Sequence, residues 1–167
     1  MIKLLLEISM IGCGIIVIIA GLMGAREWLT MQKISNLSLS QLPVSKTTFC
    51  NLAIEWCHSN ISHPKCIKPN LRLSYYPHKS RGGVYYSSSH ECVIYVNSHN
   101  NIKQVTNTVI HEYVHARQKD KKFDKLYTHY QKEHGYEQNP FELEAREVSK
   151  KHENECLIWV YNKIYSK

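Results

Sequence analysis

The 167-residue sequence lacks three features that identify common classes of protein. It has no internal repeat, which excludes the solenoid and propeller architectures that repeats build. Its six cysteines never occur in the CxxC spacing, which excludes a cysteine-based structural zinc site. It also carries no recognised nucleic-acid-binding module. What remains is a chain long enough for one globular domain.

Basic residues dominate the charge of the chain, whose formal net charge is +7. Much of this charge lies in one run after residue 115, which consists of Arg117, Lys119, Lys121, Lys122, Lys125 and Lys132. A basic run can attract acidic polymers or anionic lipid head groups. Basic charge alone is not specific for nucleic acid. We therefore interpret the run as a solvated helix face and do not expect a nucleic-acid partner.

The N-terminal region contains a long uncharged segment at residues 8–25, and residues 4–6 extend its apolar character. About 20 apolar residues are needed to span a bilayer, and the segment ends without a good signal-peptidase site. The sequence therefore predicts a single-pass membrane protein anchored through residues 4–25, with a cleaved signal segment as the alternative. The predicted organisation is a membrane anchor or signal segment at 1–28, a Ser-rich tether at 29–48 and a folded domain at 49–167.

Three cysteines, Cys50, Cys57 and Cys66, lie close together outside the predicted anchor. Clustered cysteines are typical of disulfide-bonded proteins in oxidising compartments. We therefore expect local disulfides, with the folded domain on the extracytoplasmic side of the membrane.

Two β-rich runs, at residues 83–86 and 92–96, are separated by five residues. This spacing predicts a β-hairpin, and residues 71–76 form a third candidate strand that Pro77 ends. We expect these strands to form a small antiparallel sheet. An exposed edge of such a sheet can bind an extended peptide by adding it as a further strand.

The most specific pattern is HEYVH at residues 111–115, which is an HExxH motif. Residues four apart share a helix face, so His111 and His115 can bind one Zn²⁺. Glu112 can act on a metal-bound water as general base. The preceding segment supports a helix, because Asn101 and Gln104 match a capping box and apolar residues follow at helical spacing.

A catalytic zinc usually takes three protein ligands and leaves a fourth position for water. The short metzincin pattern is excluded, since Gln118 and Lys121 stand where it has Gly and His. The candidates for the third ligand are His129, His134, Glu142, Glu144 and Glu147. Asn139 and Pro140 predict a helix start whose capping box Glu142 would close, so Glu144 is preferred. Glu142, His134 and His129 stay as alternatives, and Glu147 is interpreted as a solvated charge.

The motif and the downstream segment 139–145 together resemble small zinc metallopeptidases of the gluzincin-like HExxH…E type. The Glu144-Ala145 pair is similar to the pair that carries the third ligand in ImmA/IrrE-like peptidases. The run at 115–118 resembles short bacterial HExxH proteins that end in a Pro-Phe-Glu-x-Glu-Ala helix. The resemblance covers residues 83–150 and implies His111, His115 and Glu144 as zinc ligands with Glu112 as general base. A Spartan/SprT-like interpretation would use His129 or His134 instead.

These observations predict an α+β fold: a minimal zincin-like domain with a small antiparallel sheet, an active-site helix and a C-terminal helix, preceded by one N-terminal transmembrane helix. The predicted function is that of a membrane-anchored, Zn²⁺-dependent endopeptidase acting on a peptide or protein substrate. Candidates for stabilising the oxyanion are Tyr127, Tyr130 and Tyr136. The alternative is a non-catalytic, membrane-anchored metal-binding protein, although such a protein would be free to lose Glu112. The sequence does not indicate an oligomeric state.

Overall fold

The computed structural model describes residues 29–119 and 122–166. The chain divides into two compact units, Met1–Ile34 and Ser35–Lys167. In the first unit the described residues, 29–34, are helical. The helices of the second unit are α1 (Lys46–Asn60), α2 (Ile102–Gln118), α3 (Phe123–His134) and α4 (Pro140–Tyr165), and its strands are β1 (Asn70–Ser74), β2 (Gly83–Tyr86) and β3 (Glu91–Tyr95).

Local capping sets the ends of the helices. The side chains of Ser45, Asn101 and Asn139 each accept a hydrogen bond from a backbone N–H in the first turn of α1, α2 and α4, respectively. Pro140 follows Asn139 at the start of α4, where a missing N–H has no consequence. Gly135 ends α3 with a φ of 73°, a conformation that favours glycine.

The three strands form one mixed sheet in the order β1-β3-β2. β2 and β3 form the predicted hairpin, with Val84 opposite Val93. β1 runs parallel to β3, with Leu71 opposite Cys92, so the predicted antiparallel sheet is wrong. A parallel pair needs a long crossover connection, and residues 75–90, which include β2, supply it. Hairpin spacing sets only the direction of β2, whereas the side of β3 on which β1 pairs depends on contacts far apart in the chain.

α2 lies at the centre of the second unit, in contact with α1, α4, β2 and β3. Its buried apolar side chains are Ile102, Val105, Val109, Ile110, Tyr113, Val114 and Ala116. Burial of one large aliphatic side chain contributes about 1.5–3 kcal/mol, so this stripe holds the helix firmly. The fold is α+β and mostly helical. Because α2 is central, Glu112 and His115 of the motif are buried with it.

The transmembrane part of the predicted fold also needs correction. Across residues 29–119 and 122–166, no helix is both long enough and apolar enough to cross a bilayer. α4 has 26 residues, but charged side chains occur along most of its length. The predicted anchor at 1–28 lies outside the described residues. The predicted single-pass membrane localisation is therefore not supported.

Two further expectations concern the region around α1. Residues 35–48 of the predicted tether belong to the second compact unit, in which Leu39 and Leu42 are buried. The five cysteines in the described part of the chain are free thiols, so the expected local disulfides are not found among them. Cys50 and Cys57 are instead fully buried, where they pack as small apolar side chains.

Candidate metal centre

The two histidines of the motif converge with one glutamate from α4. The Nε2 atoms of His111 and His115 lie 3.2 Å apart. Glu142, in the first turn of α4, places Oε2 3.2 Å from Nε2 of His111 and Oε1 3.3 Å from Nε2 of His115. One ligand atom from each of the three residues lies within 4.8 Å of the other two. This His/His/Glu group can hold a metal ion.

The donor set passes a geometric and a chemical test for a bound cation. In a tetrahedral site with bonds of about 2.0–2.2 Å, neighbouring ligand atoms lie roughly 3.3–3.5 Å apart. The two imidazole nitrogens lie 3.2 Å apart, close to that spacing. Each faces a different oxygen of Glu142, at 3.2 Å and 3.3 Å, and with one ligand atom taken from each residue the three atoms lie within 4.8 Å of one another. Oε2 of Glu142 is also buried and accepts no hydrogen bond from the described residues. Nε2 of His111 lies 3.2 Å from this oxygen but does not form a hydrogen bond with it. A buried acceptor without a hydrogen bond is unfavourable, and a cation between the two atoms would satisfy both.

Glu142, the second choice from the sequence, faces both imidazoles, whereas Glu144, the first choice, does not. The Glu142 side chain is 3% exposed and that of Glu144 is 48% exposed. Glu142 is predicted to close a capping box with Asn139, but the backbone N–H of Asn139 donates to the carbonyl of Tyr136 at 3.3 Å. Glu142 therefore has no capping role, and it is Glu142 and not Glu144 that belongs to the group that could hold a metal ion.

The histidine alternatives lie away from the group. His129 and His134 have side chains about half exposed, and both pair with Glu133 on the surface of α3. Neither belongs to the group of potential ligand atoms that His111, His115 and Glu142 form.

Two supporting side chains were missed in this role by the sequence analysis. The Tyr127 hydroxyl donates to Oε1 of Glu142 at 2.5 Å, and Oε1 of Gln118 lies 2.9 Å from Nδ1 of His115. The spacing of Gln118, three residues after His115 on one helix, is a local signal that could have been used. Tyr127 reaches Glu142 through tertiary packing, for which the sequence offers no local signal.

The electrostatics of the group favour positive charge between its members. Burial raises the pKa of Glu142, but the imidazoles of His111 and His115 outweigh this and hold it well below its usual range. Burial lowers the pKa of His115, and the facing carboxylate of Glu142 reverses that effect, so the net shift is upward. The Glu142 carboxylate is thus charged, and the His115 imidazole binds a proton readily. A divalent cation would compete with that proton for the lone pair of the imidazole nitrogen.

Glu112 lies beside the metal position and against the sheet. Its side chain is buried, and burial raises its pKa, although His115 and His111 lower it in part. A Cβ on Gly83 would come within 2.8 Å of Cγ of Glu112. Gly83 therefore allows β2 to approach the Glu112 carboxylate more closely than any other residue would.

A cleft of about 420 Å³ opens over these side chains. Gly83, Val84 and Tyr85 of β2 line one wall of the cleft, and Phe123 and Tyr127 of α3 line another. Among the described residues β2 pairs with β3 alone, so its other edge faces the cleft. On that edge the backbone N–H of Tyr85 donates to the Glu112 carboxylate. Of the predicted oxyanion candidates, the cleft is lined by Tyr127 and Tyr136 but not by Tyr130.

Comparison of the chain with protein-family models, with curated proteins and with solved structures gives no match in any of the three. The likeness to HExxH…E peptidases therefore stays an expectation drawn from the motif. The function is inferred below from the geometry of the His111, His115 and Glu142 group and its surroundings.

Proposed function

We propose that the protein is a zinc-dependent endopeptidase. The observation that carries the proposal is the convergence of His111, His115 and Glu142 beside the buried carboxylate of Glu112. Two histidines and one glutamate are the protein ligands of well-known zinc peptidases. Imidazole ligands favour zinc and related transition metals, whereas Mg²⁺ and Ca²⁺ prefer sites made of oxygen atoms.

Glu112 is assigned the role of general base. When bound, zinc lowers the pKa of a coordinated water toward 7 and polarises a substrate carbonyl. Glu112 accepts the proton of the attacking water and then returns it to the leaving amine. Its burial supports this role, because a carboxyl group shielded from solvent holds a proton more readily.

The open edge of β2 is assigned to substrate binding. An extended peptide fits beside Gly83, where hydrogen bonds to backbone groups of β2 other than the Tyr85 N–H would hold it along the cleft. Tyr136 is assigned as the donor to the oxyanion, because its side chain lines the cleft and is 47% exposed. Tyr127 is a weaker candidate, since its hydroxyl donates to Oε1 of Glu142 at 2.5 Å. The Tyr136 hydroxyl is also near this carboxylate, and burial together with the carboxylate raises the pKa of Tyr136.

The alternative of metal binding without hydrolysis gives Glu112 only a structural role, the hydrogen bond that its carboxylate accepts from the backbone of Tyr85. Burying a charged carboxylate is energetically unfavourable. The Glu112 side chain is nevertheless buried next to the His/His/Glu group without belonging to it. A general base needs this placement, whereas a purely structural metal site does not.

The proposal is tested with the purified full-length chain, by elemental analysis of its metal content and by cleavage of an unstructured protein substrate. We expect about one zinc per chain, with cleavage that a chelator abolishes and zinc restores. Glu112→Gln should keep the zinc and slow cleavage by roughly 10²–10⁴-fold. Glu147→Gln is the matched control, since Glu147 is an exposed glutamate on α4, and it should leave both properties unchanged.

Two results would contradict the proposal. A chain that binds no zinc would remove the metal site, and unchanged cleavage by the zinc-loaded Glu112→Gln variant would remove the proposed base. Zinc binding without cleavage of any peptide would favour the non-catalytic alternative.

A further inference from the structure

The side chain of Gln118 lies behind His115, against the ring nitrogen that does not face the metal position. Its Oε1 lies 2.9 Å from Nδ1 of His115. Its Nε2 donates to the backbone carbonyl of Phe141 at 3.1 Å and to Oε2 of Glu144 at 2.9 Å. A carbonyl and a carboxylate can only accept hydrogen bonds, so the amide nitrogen must face them. The amide oxygen is therefore the atom that faces His115, and Nδ1 of His115 must carry a proton.

We propose that Gln118 is the positioning residue of the metal centre and that Glu144 holds Gln118 in place. This role rests on the metal site of the proposed function. A neutral imidazole carries one N–H, and when that proton is on Nδ1 the lone pair of Nε2 is free for a metal. Gln118 thus selects the tautomer of His115 that can bind zinc and sets the plane of its ring.

Glu144 connects Gln118 to the rest of the fold. Its other oxygen, Oε1, pairs with Arg117, and Nη1 of Arg117 donates to the carbonyl of Ile61 at 3.1 Å. Ile61 directly follows α1. The chain of hydrogen bonds therefore joins α1, α2 and the first turn of α4 behind the ligands. Glu144, which the sequence analysis placed on the metal, supports the metal site through Gln118.

The test is the zinc dissociation constant of the full-length chain, measured by competition with a chromophoric chelator. The visible spectrum of the cobalt-substituted protein gives a second readout that does not depend on activity. Gln118→Leu removes the acceptor for Nδ1 at similar volume, and we expect zinc binding to weaken by about 10–100-fold. Gln138→Leu is the matched control, because Gln138 is exposed and does not line the cleft, and it should leave zinc binding unchanged.

A swapped pair separates the tautomer effect from a simple packing defect. Gln118→Glu alone places two carboxylates side by side and should also weaken zinc binding. Gln118→Glu combined with Glu144→Gln restores a donor at position 144 and keeps an acceptor for Nδ1 of His115. The double variant loses the bond to the carbonyl of Phe141, so we expect it to recover part of the affinity that Gln118→Leu loses and to regain the cobalt spectrum of the unaltered chain.

Two outcomes would overturn the role of Gln118 alone, and a third would overturn the proposed function as well. If the unaltered chain binds zinc but Gln118→Leu binds it within about twofold as tightly, Gln118 does not position His115. If the double variant is as weak as Gln118→Leu, packing rather than the Nδ1 acceptor sets the affinity. If the unaltered chain binds no zinc, the proposed function fails and the role of Gln118 fails with it.

Discussion

The two sides of the cleft differ in how the fold holds them. The ligand side, formed by α2 and the first turn of α4, is buried along most of α2 and includes the nearly inaccessible Glu142. The substrate side, formed by β2 and α3, is more exposed, and the buried residue of α3 is Phe123. Metal ligands must be held within tenths of an ångström, whereas a peptide can be bound by a surface that adapts. Substitutions on the ligand side should therefore alter metal binding, and those on the substrate side should alter turnover with the metal retained.

The largest expected effect on the substrate side is that of Tyr136→Phe. Loss of one donor to an oxyanion lowers kcat by roughly 10²–10³-fold. The chain should still bind about one zinc at saturating metal, because Tyr136 is not one of the three residues of the His/His/Glu group, although its hydroxyl lies near Glu142. Steady-state kinetics on the zinc-loaded chain measure the effect, and Tyr130→Phe is the control, since Tyr130 does not line the cleft. Equal rates for the two variants would remove Tyr136 from the chemistry.

Tyr127→Phe tests the boundary between the two sides, because Tyr127 belongs to α3 but bonds to a ligand. Its hydroxyl orients the Glu142 carboxylate, so we expect zinc affinity to fall by about tenfold or more. The chelator competition that measures Gln118→Leu also measures this variant. Unchanged zinc affinity in Tyr127→Phe would mean that α3 does not support the metal ligands. The ligand side and the substrate side would then be more independent than we propose.

Gly83→Ala should reduce both stability and activity. The new Cβ would meet Cγ of Glu112 and Cγ2 of Thr108 at 2.8 Å each, so β2 or Glu112 must shift. Overpacking of this kind typically costs about 1–3 kcal/mol in the free energy of unfolding. Chemical denaturation and kcat/KM check the prediction, with Ser89→Ala in the exposed hairpin loop as the control. A fully active and stable Gly83→Ala variant would show that β2 does not press on the general base.

The smallest expected effect is a pH dependence that comes from His99. Burial lowers the pKa of His99, partly offset by a hydrogen bond with the carbonyl of Tyr95. Below the ordinary value of 6.5 the unfolded chain takes up a proton that the folded chain does not. The free energy of unfolding should therefore fall as pH decreases through this value. His99→Gln should weaken that dependence in denaturation curves measured from about pH 7.5 to 5.5, and an unchanged slope would contradict the assignment.

The parts of the site that depend on neighbouring residues could be predicted from the sequence. The HExxH pairing of His111 and His115 needs only helical spacing, and the structure places the two nitrogens together. The start of α2 at Asn101 and that of α4 at Asn139 also follow from residues within one turn. In each case the deciding contacts lie inside a single element.

The parts that depend on packing between elements could not be predicted. Glu142 and Glu144 both flank the apolar stripe of α4, and the choice between them depends on how α4 lies against α2. The free edge of β3 sets the position of β1 in the sheet, but its parallel direction depends on how residues 75–90 lead the chain from β1 to β3. The predicted membrane anchor at 1–28 lies outside the described residues, so the structure adds no information on that segment.

The most direct test of the metal centre compares zinc binding by Glu142→Gln and Glu144→Gln in the full-length chain. Glu142→Gln should lose zinc during dialysis, with a dissociation constant raised by roughly 100-fold or more, because it removes a metal ligand. Glu144→Gln should keep about one zinc per chain and weaken binding much less, since its side chain acts through Gln118. The opposite order, with zinc lost from Glu144→Gln and retained by Glu142→Gln, would contradict the account.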